Sequence, residues 1–457
     1  MNPSDPRVVL QQRREKLAQH FCGPAILWSG SESPRNFPAN RFPFRASSHF
    51  LFFAGRSLAN AAIHLEAGKL TLFMDDADAN DALWHGPSPR RQEIAKQMGA
   101  DQDYPLSKLA SWTQDVATIP VQDSATRQIQ EKQIGRTLGS AKQLQGHNRQ
   151  LAKAIVAVRM IHDQSAISSI REAAAVTVKA HLAGMTATYN AQTEAEIRAA
   201  MEAVIMAHNL TCAYNSIVTV QGEVLHNQSY HRPIRAGDLL LADVGAEKEG
   251  WASDVTRTWP ISGSFSSTQH DIYDIVLAAH DICIAKAAPG VEFRDLHLLA
   301  ALTLAEGLVS LGILKGKAET LVERDAHALF FPHGVGHLLG LDVHDMEDLG
   351  DLAGYAPGRK RCDRFGLGFL RLDRPLQKSM IVTIEPGFYQ VPSLLKNPER
   401  QSHYQDCINW DQLVKFKDVQ GIRIEDDILI TAKGAEVLTA ALPSVPSQIE
   451  SYMNRCI

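Results

Sequence analysis

Several things are scarce in this 457-residue chain. Its six cysteines, at positions 22, 212, 283, 362, 407 and 456, include no CxxC and no other close pair, a usage that speaks against a disulfide framework and for a reducing compartment. No stretch approaches the ~20 apolar residues of a membrane span. The segment from Met1 to Phe21 carries Arg13-Arg14-Glu15-Lys16 in place of an apolar leader core, so a soluble, cytoplasmic protein that is not exported is expected. Basic excess is missing as well. A net charge of −5 and a pI near 6.4 leave no electrostatic footprint for nucleic acid or an anionic membrane.

What is present is enough apolar residue for two cores. At 50.3 kDa and 45% hydrophobic content the chain exceeds what one core usually holds. Residues 1–150 read as an independent α/β domain. Ala25–Trp28, Phe50–Phe53 and Leu70–Met74 are its short strand candidates, with a helix-like stretch after Gln92. A second domain is expected over 155–457. Asp163 is placed to cap a helix whose apolar positions Ile167, Ile170, Ala174, Val178 and Leu182 keep helical spacing, and Thr193-Glu194-Ala195-Glu196 reads as a capping box. Further helices fit Asp271–Lys286 and Phe293–Leu308. Helices alternating with antiparallel strands make this an α+β core.

The chemistry is carried by six residues of the second half: Asp243, Asp254, His337, His344, Glu385 and Glu425. Asp243 ends the apolar run Leu239–Ala242, and Asp254 follows eleven residues later beyond a Gly-bearing turn at Gly245 to Gly250, so a hairpin can set the two carboxylates side by side. Glu385 closes Ile381–Ile384, and Glu425 sits in Gly421-Ile422-Arg423-Ile424-Glu425. Acids here occupy strand positions that are normally apolar. Four buried carboxylates repel and desolvate one another unless cations neutralise them. One imidazole among four carboxylates is a hard donor set that suits manganese, cobalt, iron or zinc. Between Phe331 and Asp345, three histidines (His333, His337, His344) alternate with Gly334, Gly336 and Gly340, which lets backbone approach closely while imidazoles turn inward.

These segments together resemble the creatinase, aminopeptidase P and prolidase group of metallopeptidases, family M24. The matching motifs are Asp243-Val244-Gly245 with Ser253-Asp254-Val255-Thr256-Arg257, His333-Gly334-Val335-Gly336-His337 with Gly340-Leu341-Asp342-Val343-His344-Asp345, Thr383-Ile384-Glu385-Pro386-Gly387, and Gly421-Ile422-Arg423-Ile424-Glu425-Asp426. The resemblance implies a carboxy-terminal pita-bread catalytic domain behind a smaller α/β creatinase-like amino-terminal domain. It also implies two divalent metal ions, manganese first and cobalt, zinc or iron as alternatives. Asp243 would hold one ion, His337 and Glu385 the other, and Asp254 and Glu425 both, around a bridging hydroxide. Glu385 would handle the proton, with His344 and His226 binding substrate or the tetrahedral intermediate. His333 would support the site.

The resemblance also frames the substrate. Arg423 shares a strand face with Glu425, where it offsets the carboxylate excess or orients a ligand. Arg371 stands where prolidases carry an arginine for a dipeptide carboxylate, and reads either that way or as an exposed charge. Trp84 reads either as lining a neighbouring subunit's pocket or as a residue with no role. The segment 392–420 is longer than a hairpin needs and reads as a lid, an oligomer contact or a solvated excursion. The expectation is an exopeptidase that removes the residue ahead of a penultimate proline, most like bacterial Xaa-Pro aminopeptidases. Xaa-Pro dipeptidase is the alternative, and a non-catalytic peptide-binding scaffold a third reading. Its partners would be small peptides and further copies of the chain, as a homodimer or homotetramer, with no nucleic acid and no membrane.

Overall fold

The structure, a computed structural model, describes residues 5–78 and 81–455; the first four residues of the charged amino-terminal segment and Cys456 lie outside them. The chain divides into two compact units, one reaching to Ser165 and taking in Met346–Ala353, the other formed by Ala166–Asp345 and the chain from Gly354 onward.

In the first unit, α1 (Pro6–His20) starts where the Asp5 carboxylate accepts from Arg7 N and Pro6 presets the first turn. A five-stranded sheet follows, built from β1 (Ala25–Trp28), β2 (Ala62–Glu66), β3 (Lys69–Phe73), β4 (Gln102–Tyr104) and β5 (Ala117–Thr118) in the order β4-β3-β2-β1-β5. β1 and β3 stand where the apolar runs were read as strands, and β2, not anticipated, pairs with both. The Phe50–Phe53 run is a correction: it lies inside helix α2 (Ser48–Ala54). Every residue of α2 is buried, and a short run buried all round carries no periodicity to tell helix from strand. Gly55, at φ 71°, then ends the helix in the left-handed conformation. Helices α3 (Asp81–His85), α4 (Arg91–Met98), α5 (Ser124–Ile134) and α6 (Gly146–Arg159) complete the order along this unit.

The segment Met346–Ala353 is held inside this unit by a buried relay. Arg159 Nη1 donates to His49 Nδ1 at 2.8 Å, and His49 Nε2 meets Asp348 Oδ2 at 3.0 Å. A guanidinium can only donate, so Nδ1 accepts and the Nε2–H points at Asp348. Burial pushes the Asp348 carboxyl up, but His49 and Arg159 outweigh it and hold it below the usual carboxylate range.

The second unit begins with α7 (Gln164–Thr188), which crosses the division, and α8 (Glu194–Ala207). The anticipated capping box of α8 is not formed. Glu196 accepts from Gln192 N and from the Thr193 hydroxyl, which therefore turns to the Glu196 side chain and caps no backbone N–H. After β6 (Thr211–Cys212) and β7 (Ile217–Thr219), strand β8 (Leu239–Asp243) pairs antiparallel with β11 (Thr256–Pro260), Asp243 facing Thr256. The hairpin tip between them is β9 (Ala246–Lys248) and β10 (Trp251–Ala252). Helix α9 (Ser267–Lys286), opened by a complete capping box from Ser266 and Gln269, packs on strands of this unit, and α10 (Phe293–Ser310) packs on α9. Strands β12 (Ile381–Ile384), β13 (Gly387–Tyr389), β14 (Gly421–Arg423), β15 (Asp426–Ile430) and β16 (Ala435–Val437) follow, with β12 against β15 and β13 against β14.

The stretch 392–420, between β13 and β14, is folded. Its short helices bury Leu395, Tyr404, Cys407, Leu413 and Phe416, and backbone bonds Lys315 N to Cys407 O and Asn409 N to Ile313 O fasten it beside the end of α10. No described helix is long and apolar enough to cross a membrane.

Asp163 stands just before α7. It takes a two-point ion pair from Arg13, Nε to Oδ2 at 2.7 Å and Nη2 to Oδ1 at 3.2 Å, while Arg13 is buried and its Nη1 donates to Phe52 O. Removing the acid leaves a buried guanidinium short of its partner, so Asp163→Ala should destabilise the first unit by about 3 kcal/mol, seen as a lower midpoint in chemical denaturation.

Candidate metal centre and substrate cavity

Three chain segments lie side by side to make the floor of one cavity. The β8–β11 hairpin supplies Asp243 at a strand end and Asp254 in the link just before β11. Glu425 stands between β14 and β15, its N–H bonded to Thr256 O and its carboxylate accepting from the Thr256 hydroxyl at 2.8 Å. The His333–His337 segment runs along β12, with Thr383 N bonded to His337 O and Glu385 N bonded to Val335 O. That docking requires glycine: a Cβ on Gly336 would sit 2.0 Å from Thr383 O.

Distances at the floor are short. His337 Nδ1 lies 3.0 Å from its neighbour's carbonyl, Leu338 O, so the N–H is there and the bare Nε2 faces Asp254 Oδ2 at 3.4 Å and Glu385 Oε1 at 3.5 Å. Donor atoms of Asp254, His337 and Glu425 all fall within 4.8 Å of one another. Burial drives the carboxyls of Asp243, Asp254 and Glu425 above their usual range; neighbouring acids push Asp243 and Glu425 further, while the Tyr214 hydroxyl holds Asp254 back. Glu385 is raised by burial to about 8, against the pull of Arg423. Four carboxylates disfavoured as bare charges, with one imidazole nitrogen beside them, fit a divalent cation better than a thiolate-loving one.

A second ring of groups holds these acids. Tyr214 places its hydroxyl 2.5 Å from Asp243 Oδ1 and 2.6 Å from Asp254 Oδ1. Arg423 donates from Nη2 to Asp243 Oδ2 at 2.6 Å, from Nε to the Thr256 hydroxyl, and from Nη1 to the Tyr389 hydroxyl. Of the two readings for Arg423, offsetting the carboxylate excess or orienting a ligand, the contact with Asp243 fits the first. Behind Asp254, Asp427 accepts from its backbone N–H and from the Ser253 hydroxyl. Asp426, next in sequence, faces the other way, to Arg257, His280 and Thr439. Tyr214, Tyr389 and Asp427 escaped the sequence reading as functional residues. Asp427 had a signal in strand alternation, which puts it on the face of Glu425, and Tyr214 in the segment Tyr214-Asn215-Ser216-Ile217-Val218, which matches the family.

The cavity above the floor encloses about 300 Å³, at the lower end for ligand pockets. It is lined by all five anticipated metal ligands and by His226, His333, His344, Arg371 and Arg423, with Leu225, Pro332, Gly334 and Phe369. His344 packs edge-on to His337 with ring centroids 4.3 Å apart. His333 Nε2 meets the Tyr389 hydroxyl at 2.8 Å, and burial lowers this imidazole to about 3, so it is a neutral support. Burial also lowers His226, aided by Arg423. Trp84 is not part of this lining; it lies on α3 of the first unit, 77% exposed.

Gly336→Ala should drive the His337 segment off β12. The expected outcome is folded protein that has lost at least tenfold in divalent-metal affinity, measured by equilibrium dialysis.

Comparison with known proteins agrees with this geometry. The model of metallopeptidase family M24 matches residues 168–432, and that of the aminopeptidase P N-terminal domain residues 10–120. A probable Xaa-Pro aminopeptidase of Aspergillus fumigatus is 33% identical over 436 residues, covering 92% of this chain and 86% of that protein. One from Talaromyces marneffei is 32% identical over 462 residues, covering 96% and 95%. Among solved structures, Pseudomonas aeruginosa aminopeptidase PepP superposes with a TM-score of 0.80 at 26% identity, covering 99% of this chain and 98% of that one. Escherichia coli aminopeptidase P with the inhibitor Pro-Leu does so at 0.80 and 27%, covering 98% of each. The buried acid cluster and the matched sequence lead to one assignment: the chain belongs to metallopeptidase family M24 and carries an aminopeptidase P-type amino-terminal domain.

Proposed function

We propose that this protein is an Xaa-Pro aminopeptidase, hydrolysing the bond between an amino-terminal residue and a penultimate proline. The observation that carries the reading is the convergence of four carboxylates and His337 on the floor of a cavity whose walls supply imidazoles and Arg371. Asp243, Asp254, His337, Glu385 and Glu425 would hold two divalent ions, manganese first. Bound there, the ions would supply Lewis acidity toward the scissile carbonyl and a water made nucleophilic at neutral pH.

The chain's own residues do the rest. Glu385, at the floor and beside His337, accepts the proton of the attacking water and returns it to the proline nitrogen as the C–N bond breaks. His344 and His226, on the walls, donate to the carbonyl oxygen as it gains charge. Arg423 and Tyr214 keep Asp243 and Asp254 aimed, through the bonds already described. Proline supplies the leaving nitrogen, which carries no N–H in the peptide, and restricts the preceding residue to extended backbone. A site that acts on the carbonyl directly does not need that missing donor. The free amino group of the substrate is received at the acidic floor. Work in a reducing cytoplasm and assembly into a homodimer or homotetramer complete the proposal.

The test is cleavage of Gly-Pro and Arg-Pro-Pro by purified, manganese-loaded protein. Preference for the tripeptide, surviving Arg371→Ala, is expected. Preference for the dipeptide that disappears with Arg371→Ala would make the protein a dipeptidase, and silence toward both would leave a binding scaffold. Glu385→Ala should lower kcat by about 10²–10⁴-fold with the fold intact by circular dichroism; near wild-type turnover would remove that residue from the mechanism.

A further inference from the structure

The rim of the cavity carries an aromatic side chain that the acid chemistry leaves without a task. Phe369 lines the cavity and is 67% exposed, in a structure whose other phenylalanines mostly lie in the cores. The strip Phe369–Leu370–Arg371 alternates: Leu370 is buried at 1% exposure, and its two neighbours turn to the cavity.

The backbone of this strip is held from several sides. Leu370 O accepts from the Tyr355 hydroxyl and from Arg361 Nη1, both at 2.8 Å. A Cβ on Gly334, within the His333–His337 segment, would sit 3.1 Å from Leu370 Cα, and one on Gly354 would sit 2.2 Å from Arg371 O. The strip is therefore wedged between two glycines, with its carbonyl clamped. An exposed aromatic on a fixed backbone forgoes burial of its ring in the free protein and offers a prepaid surface to a ligand.

Depth orders the lining. Asp243, Asp254 and Glu425 are buried, His344, Arg371 and Leu225 half-buried, and His226 and Phe369 exposed. On the aminopeptidase reading above, on which this inference rests, the amino end lies over the acids and the peptide leaves toward the exposed rim. The residue that reaches Phe369 is then the one after proline. We propose that Phe369 is a specificity-determining residue: a platform for an apolar side chain at the third position of the substrate.

The experiment compares kcat/KM for Ala-Pro-Gly, Ala-Pro-Leu and Ala-Pro-Phe with manganese-loaded wild type, Phe369→Ala and Phe369→Leu. Wild type should prefer leucine and phenylalanine over glycine by about tenfold, expressed mainly in KM. Phe369→Ala should bring that ratio close to one while leaving Ala-Pro-Gly within about twofold, and Phe369→Leu should restore part of it. Val414→Ala, an exposed apolar position outside the cavity lining, should change nothing. Equal rates on all three peptides by wild type, or an equal loss on all three in Phe369→Ala, would overturn the platform and leave the aminopeptidase reading standing. No cleavage of any peptide would overturn both.

Discussion

Burying Asp243, Asp254, Glu385 and Glu425 beside one another costs free energy twice, through lost hydration and through mutual repulsion. One buried guanidinium, Arg423, and one shared hydroxyl, Tyr214, face this charge directly. They answer part of it and leave the remainder for a cation. The local architecture follows from that constraint. Each acid sits at or just past a strand end, where its backbone is bonded to a neighbouring segment and its side chain still reaches the cavity.

The imidazoles solve a different problem, that of tautomer. His337 keeps its proton on Nδ1 by facing Leu338 O, which leaves Nε2 bare toward the acids. His333 is fixed between Gly334 O and the Tyr389 hydroxyl. Tyr389 in turn meets Arg423, so a single chain of contacts runs from His333 through Tyr389 and Arg423 to Asp243. A change at any link would be felt at the acids, in the manner of outer-shell partners that orient metal ligands.

Above the floor the cavity changes character from acid to mixed. Arg371 and the imidazoles of His226 and His344 offer polar contacts, while Leu225, Pro332 and Phe369 offer apolar ones. Glycine recurs wherever two segments of this wall must touch, as at Gly334, Gly336 and Gly354. The same residue type brings the histidines to the acids and wedges the aromatic rim in place.

Sequence alone singled out the acids and the imidazole that the structure brings to one cavity, because acids interrupting apolar strand runs, and histidines interleaved with glycines, have few physical uses other than a buried polar site. It determined as well the main helices of the second unit and two strands of the first, where hydrophobic spacing is unambiguous. Phe50–Phe53 went to a helix, since a short run buried on every side has no period to read. Tertiary structure decided what no local pattern encodes. Tyr214 bridges two carboxylates that stand 29 and 40 positions further along, and Arg423 reaches back 180 positions to Asp243. Met346–Ala353 packs with the first unit although its neighbours in sequence belong to the second. Partner choice over such separations rests on which surfaces exclude water together, and that is a property of the folded chain.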